Sequence, residues 1–99
     1  MTFRSKKLLD LARGKPCVMC NCEDGTIVSA HSNLLEHGKG MGTKAHDGMI
    51  AWLCMRCHSR LDQGSQMTKE ERRMYILESI CKTYMRMWDM DLLQVKGCK

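Results

Sequence analysis

The chain has 99 residues, a formal net charge of +5 at pH 7, seven cysteines, and ten methionines against 2 Trp, 2 Tyr and 1 Phe. A chain this short makes one small domain, and methionine specifies a core loosely, so a cross-link elsewhere is expected. An odd cysteine count, no export-type apolar stretch in Met1–Gly14 and no run of membrane-spanning length argue against a secreted disulfide framework or a transmembrane protein. They predict a cytoplasmic setting where paired thiols stay reduced, and the positive charge favours an anionic partner such as nucleic acid.

In chain order, Arg4 to Arg13 carries Leu8, Leu9, Leu11 and Ala12 and stops at Gly14, which predicts a short basic helix. Pro16 leads into Cys17-Val18-Met19-Cys20, a tight knuckle. Thr26 to His31 is rich in β-branched residues after an Asp24-Gly25 turn signal and predicts a strand. His37 to Gly48 is a glycine-rich basic loop whose centre, Gly40-Met41-Gly42-Thr43-Lys44, lets backbone approach a phosphate; Lys39 and Lys44 are its candidate nucleic-acid contacts, with a solvated role as the alternative. Met49 to Leu53 predicts a second strand, followed by a helix from Cys54 to about Gln63, ending at Gly64. Thr68-Lys69-Glu70-Glu71 is a capping box opening a long helix over about 68–88. Met74, Leu77, Cys81, Tyr84 and Trp88, widened by Ile80 and Met85, form one apolar face that predicts packing against the zinc unit or a second copy in a homodimer.

The two pairs Cys17-x-x-Cys20 and Cys54-x-x-Cys57, with 33 residues between them, supply the four thiolates that a tetrahedral structural zinc takes. A knuckle pair joined to a pair at a helix start is the treble-clef arrangement, and the helix N-terminus favours thiolate. Cys22 is an alternative ligand to Cys17 or Cys20. Cys54-Met55-Arg56-Cys57-His58 also fits a haem-attachment pattern, but that reading and a redox dithiol each leave the other pair unexplained. Cys81 reads as a small core residue and Cys98 as a terminal thiol.

His58 and Asp62 stand four apart on one helical face, His31 ends the first strand, and Asp47 precedes the second. Gathered on one side of a ββα unit, these groups can hold a divalent ion and activate water while a neutral histidine takes the proton. Asp62 can equally pair with Arg56 or Arg60, and Asp47 can cap the strand entry. His37 and His46 read as structural, His46 with a reserve because it adjoins Asp47.

Ala30-His31, Gly40-Met41-Gly42-Thr43-Lys44, Asp47, Ala51 and Cys54-Met55-Arg56-Cys57-His58 with Asp62, together with the eleven-residue step from Cys20 to His31, resemble the HNH (ββα-metal) endonucleases. The variant is most similar to the YbcO-like prophage nucleases, over roughly Arg13 to Asp62. The resemblance implies an α+β fold: one domain over 1–99 with a zinc-bound treble-clef or ββα-metal core in 13–64, a short N-terminal helix and a long C-terminal helix. It implies a metal-dependent DNA endonuclease of phage or prophage type, with His31 as general base and His58 as ligand of a catalytic Mg²⁺ or similar ion beside the zinc. Ala30 and Met49 stand where many members carry a metal-binding residue and an asparagine, and Asp47 is the nearest substitute. A non-catalytic zinc module that binds DNA or a recombination partner is the second expectation. Asn33 has no role in the resemblance.

Overall fold

The computed structural model describes residues 3–40, 42–63 and 67–97. The loop centre at Met41, the helix stop at Gly64 and the terminal thiol of Cys98 lie outside the described residues. The first helix, α1, is Lys6–Asp10, with the Ser5 hydroxyl accepting from the Leu8 N–H at its start. It is shorter at both ends than the predicted Arg4–Arg13. At the N-terminal end, Arg4 is drawn away by hydrogen bonds to the carbonyls of Lys44 and Ala45 and to Asp47, and residues 11–14 continue only as turns.

Strand β1, Val28–His31, pairs antiparallel with β2, Ile50–Leu53, in a register that sets Ala30 opposite Ala51 and His31 opposite Ile50. β1 begins two residues later than predicted because Thr26 is used differently. The Asp24 carboxylate takes the Thr26 N–H and hydroxyl, and the Thr26 hydroxyl in turn accepts the Met55 N–H at the start of the next helix. Between the strands, Leu35–His37 forms a short 3₁₀ turn that the glycine-rich composition did not signal.

All of β2 is buried, which explains why it reads as an apolar run rather than an alternation. Its outer edge is covered from both directions. Val18 of the knuckle donates to the Trp52 carbonyl at 3.0 Å, and the Trp52 N–H donates to the Thr83 hydroxyl at 3.0 Å. An edge that would otherwise expose donors and acceptors is thereby closed.

Helix α2 is Met55–Gln63 and helix α3 is Lys69–Asp89. The capping box of α3 is present in full, with Thr68 accepting from Glu71 N–H and Glu71 accepting from Thr68 N–H. Such a cap is worth about 1 kcal/mol. The face that α3 turns to the core shares only Ile80 among its buried residues with the predicted one: it is Ile76, Ser79, Ile80, Thr83 and Met87. Of the predicted stripe, Leu77 and Tyr84 are partly buried, whereas Met74, Met85 and Trp88 are 69, 64 and 49% exposed. Cys81 is exposed too, and so is not the core residue expected. Two small hydroxyl residues, Ser79 and Thr83, occupy the core side. Their hydroxyls bond to carbonyls one turn back, Thr83 also serving Trp52, so polar letters hide the buried face from a hydrophobicity pattern. No described helix is long and apolar enough to cross a membrane.

Candidate metal centre and histidine cleft

The knuckle forms because Asn21 takes a left-handed backbone (φ 63), letting the Asn21 N–H reach the Cys17 carbonyl and the Cys17 N–H reach that of Cys22. Arg86 of α3 fastens the knuckle from outside through Asn21 and the Pro16 carbonyl. Facing it, Cys54 and Cys57 sit at the start of α2, where the Cys57 N–H points at the Cys54 sulfur. The sulfurs of Cys17, Cys20, Cys54 and Cys57 all lie within 4.8 Å of one another. Those of Cys20 and Cys54 are 3.6 Å apart, close to the sulfur–sulfur edge of about 3.8 Å that a tetrahedron with zinc–sulfur bonds near 2.3 Å requires. The four cysteines fit a structural metal ion.

The surroundings tune these sulfurs. Burial pushes the Cys57 thiol up to about 12, against a hydrogen bond from Tyr75 of α3 that lowers it. The Cys22 N–H and thiol bring Cys20 down to about 6. Arg56, beside Cys20, adds positive charge at the exposed side of the cluster. Cys22 stands next to the four, near Cys54 and Asp24, and is not one of the mutually close set.

The histidines fall into two pairs. His31, at the end of β1, meets Asp47 at 2.7 Å, and Asp47 also accepts from Arg4 at 2.9 Å and from the Ser5 N–H at 2.7 Å. Burial alone would raise the Asp47 pKa, but these donors outweigh it and bring the carboxyl to about 2. An ionised carboxylate only accepts, so the His31 Nε2 carries a proton, and in the neutral imidazole Nδ1 is the acceptor. The segment holding Asp47 is pinned on both sides. The Asp47 N–H donates to the Phe3 carbonyl, Phe3 stacks on His46, and Tyr84 donates to the Gly48 carbonyl. At Gly48 a Cβ would sit 2.9 Å from the His46 ring, so any side chain there would push His46 aside.

His31 and Asp47 open onto a cleft of about 400 Å³ lined also by Arg4, Leu9, Gly42, Thr43 and Lys44. Lys44 of the basic loop therefore borders His31; Lys39 does not line this cleft. The second pair is on α2, where His58 and Asp62 meet at 2.9 Å and Asn33 donates to the other Asp62 oxygen at 3.2 Å. Asp62 is thus paired with His58 and Asn33 rather than with Arg56 or Arg60. Asp47 is taken up by His31, Arg4 and Ser5, and it does not join His58 and Asp62 in a metal-sized donor group among the described residues. His37 bonds to Ser32 and His46 to the Gly48 N–H, matching their structural reading.

Arg4, Ser5 and Asn33 are the residues that sequence reasoning passed over. Arg4 and Ser5 reach Asp47 across more than forty positions, and no local pattern marks such a contact. Asn33 stands two residues beyond His31, and that proximity was the one available signal.

No curated protein and no solved structure matches the chain. A family model described as "Putative nuclease YbcO" matches residues 6–92. That span takes in both cysteine pairs, both histidine pairs and all of α3, and with it the chain belongs to the YbcO family, named for nucleases, hydrolases that act on nucleic acid.

Proposed function

We propose that the protein is a metal-dependent endonuclease of the HNH type that hydrolyses DNA phosphodiester bonds, built as a treble-clef or ββα-metal unit around a structural zinc. The observation that carries this reading is the His31–Asp47 pair, held at 2.7 Å at the mouth of a cleft with Arg4 and Lys44 on its wall. Asp47 fixes the ring and its tautomer, so the free Nδ1 of His31 accepts a proton from the attacking water. Lys44 and the exposed part of Arg4 attract the phosphate backbone. Water adds to phosphorus and gives one proton to His31, and the P–O ester bond breaks, its oxygen leaving and taking a proton from solvent to form the hydroxyl end.

His58 and Asp62 offer an imidazole nitrogen and a carboxylate oxygen for a divalent ion, the carboxylate suiting Mg²⁺ or Mn²⁺ and the imidazole a transition ion. Such an ion would supply charge stabilisation for the phosphate and the leaving oxygen. Asn33 holds Asp62 in place. In this reading Asp47 orients the base and does not ligate the ion.

Incubation of plasmid with the purified protein and Mg²⁺ or Mn²⁺ tests the reading. Nicking or linearisation that His31→Ala abolishes is the expected result; no cleavage with either ion sinks it. A non-catalytic DNA-binding module is the second reading, favoured by the separate engagement of the two histidine pairs. Salt-sensitive retention of DNA without cleavage supports that one.

A further inference from the structure

The side of α3 facing away from the core carries an apolar stripe of Met74, Leu77, Cys81, Met85 and Trp88. Along its N-terminal half lies a groove of about 1080 Å³ lined by Met74, Leu77 and Cys81 with charged residues of both signs, Glu70, Arg73 and Glu78 among them. Along its C-terminal half Met85 and Trp88 stand out, 64 and 49% exposed, with Lys82 beside them. A recess at one end and a projecting indole at the other are self-complementary under a two-fold axis.

The spacing fixes where that axis falls. Met74 lies seven residues before Cys81 and Trp88 seven after, while Leu77 and Met85 lie four before and four after. Rotation by 180° about an axis at Cys81 runs the two helices antiparallel. It sets Met74 against the partner's Trp88 and Leu77 against the partner's Met85, each contact made twice. Glu78 and Lys82, paired with each other within the helix at 3.6 Å, flank this seam. A parallel pairing would instead bring Glu70 against the partner's Glu70 and align the helix dipoles.

We propose that the protein forms an antiparallel homodimer through this stripe of α3, centred on Cys81. Between Met74 and Trp88 the stripe is about 21 Å long. A two-helix contact of that length buries on the order of 1,000 Å² in total, the lower edge of specific interfaces. The dimer does not depend on whether the protein cleaves DNA.

Sedimentation equilibrium of the full chain in zinc-containing buffer, over about 1–200 µM, is the test. The wild type should show a reversible monomer–dimer equilibrium. Met74→Glu and Trp88→Lys should each weaken it by about thirtyfold or more while keeping the far-ultraviolet circular dichroism and metal content of the wild type. Mixing the two variants should restore a heterodimer, because the antiparallel register sets the new Glu against the new Lys on one side and leaves the native Met–Trp contact on the other. A wild type that stays monomeric, variants that dimerise as it does, or a mixture that fails to recover would each overturn the proposal.

Discussion

The sulfur cluster adjoins the Val28–Leu53 end of the β1–β2 ladder, through Cys54, and the His31–Asp47 pair adjoins its His31–Ile50 end; the two are built by different means. Four sulfurs converge within 4.8 Å, three of them buried, and every ligand comes from one of two pairs separated by two residues. The histidine side has its donors already engaged with each other, His31 with Asp47 and His58 with Asp62, and His58 and Asp62 are more than a third exposed. A closed set of like donors defines its ligand by itself. A set of satisfied pairs defines an orientation and leaves room for substrate. Under the proposed reading, the first region serves the stability of the fold and the second its chemistry.

The comparison breaks first, and most visibly, on metal removal. A structural zinc contributes about 10 kcal/mol or more of apparent binding free energy, comparable to the whole stability of a small domain. Chelation, or Cys54→Ser, is therefore expected to abolish the cooperative thermal transition, and intact protein should carry one zinc per chain by elemental analysis. A chain that melts cooperatively after complete chelation would show that the sulfurs are not the staple. His31→Ala should leave the metal site in place and cost only the stability of its one bond to Asp47, which keeps Arg4 and Ser5 as donors. Under the proposed reading, DNA cleavage falls by about a hundredfold to ten-thousandfold, while zinc content stays that of the wild type and the cooperative transition is kept.

The same division governs how much of each region was legible in the sequence. The cysteine pairs are local, and their x₂ spacing forces adjacent sulfurs toward one point, so the cluster could be read directly. The capping box was equally local and is present as expected. The strands were found but drawn too long, since Thr26 serves as a helix cap rather than a ladder residue. On α3 the apolar stripe marks the buried face only in part: Ile80 is in the core and Leu77 and Tyr84 pack against it, but Ser79 and Thr83 are buried through hydroxyl bonds while Met74, Met85 and Trp88 lie outside. In the cleft, His31 and Asp47 were both picked out, but their pairing was not, nor was the pairing of Asp47 with Arg4. Contacts between residues 3–5 and 44–47 leave no period or spacing to read.

An intermediate effect is expected at Asp47, where stability and orientation meet. With its folded pKa near 2 against an ordinary 3.8, the carboxylate contributes stability that is fully present above about pH 4 and is lost as the pH falls through about 2. Asp47→Asn removes that contribution. The stability gap between wild type and variant, followed by denaturant titration, should be constant near about pH 5 and should narrow towards about pH 2. Loss of the orienting carboxylate should also lower cleavage by about ten- to a hundredfold, by analogy with other groups that orient a functional histidine. A gap independent of pH would mean that the ion pair with Arg4 and the bond from His31 do not hold the carboxyl down.

The smallest effect sharpens the boundary of the sulfur cluster itself. Cys22 sits two residues from Cys20, and its sulfur is close to those of Cys54 and Asp24's carboxylate, yet only Cys17, Cys20, Cys54 and Cys57 form a mutually close tetrad. A serine at position 22 keeps the size of the side chain and leaves the Cys22 backbone carbonyl free to accept from Cys17 N–H, the bond that shapes the knuckle. Cys22→Ser should therefore retain one zinc per chain and change stability by no more than about 0.5 kcal/mol, the range of substitutions that break no defined feature. Cys17→Ser, one turn of the knuckle away and fully buried, should lose the metal. If instead Cys22→Ser loses zinc and Cys17→Ser keeps it, the knuckle binds through Cys20-x-Cys22, and Cys17 is a buried packing residue.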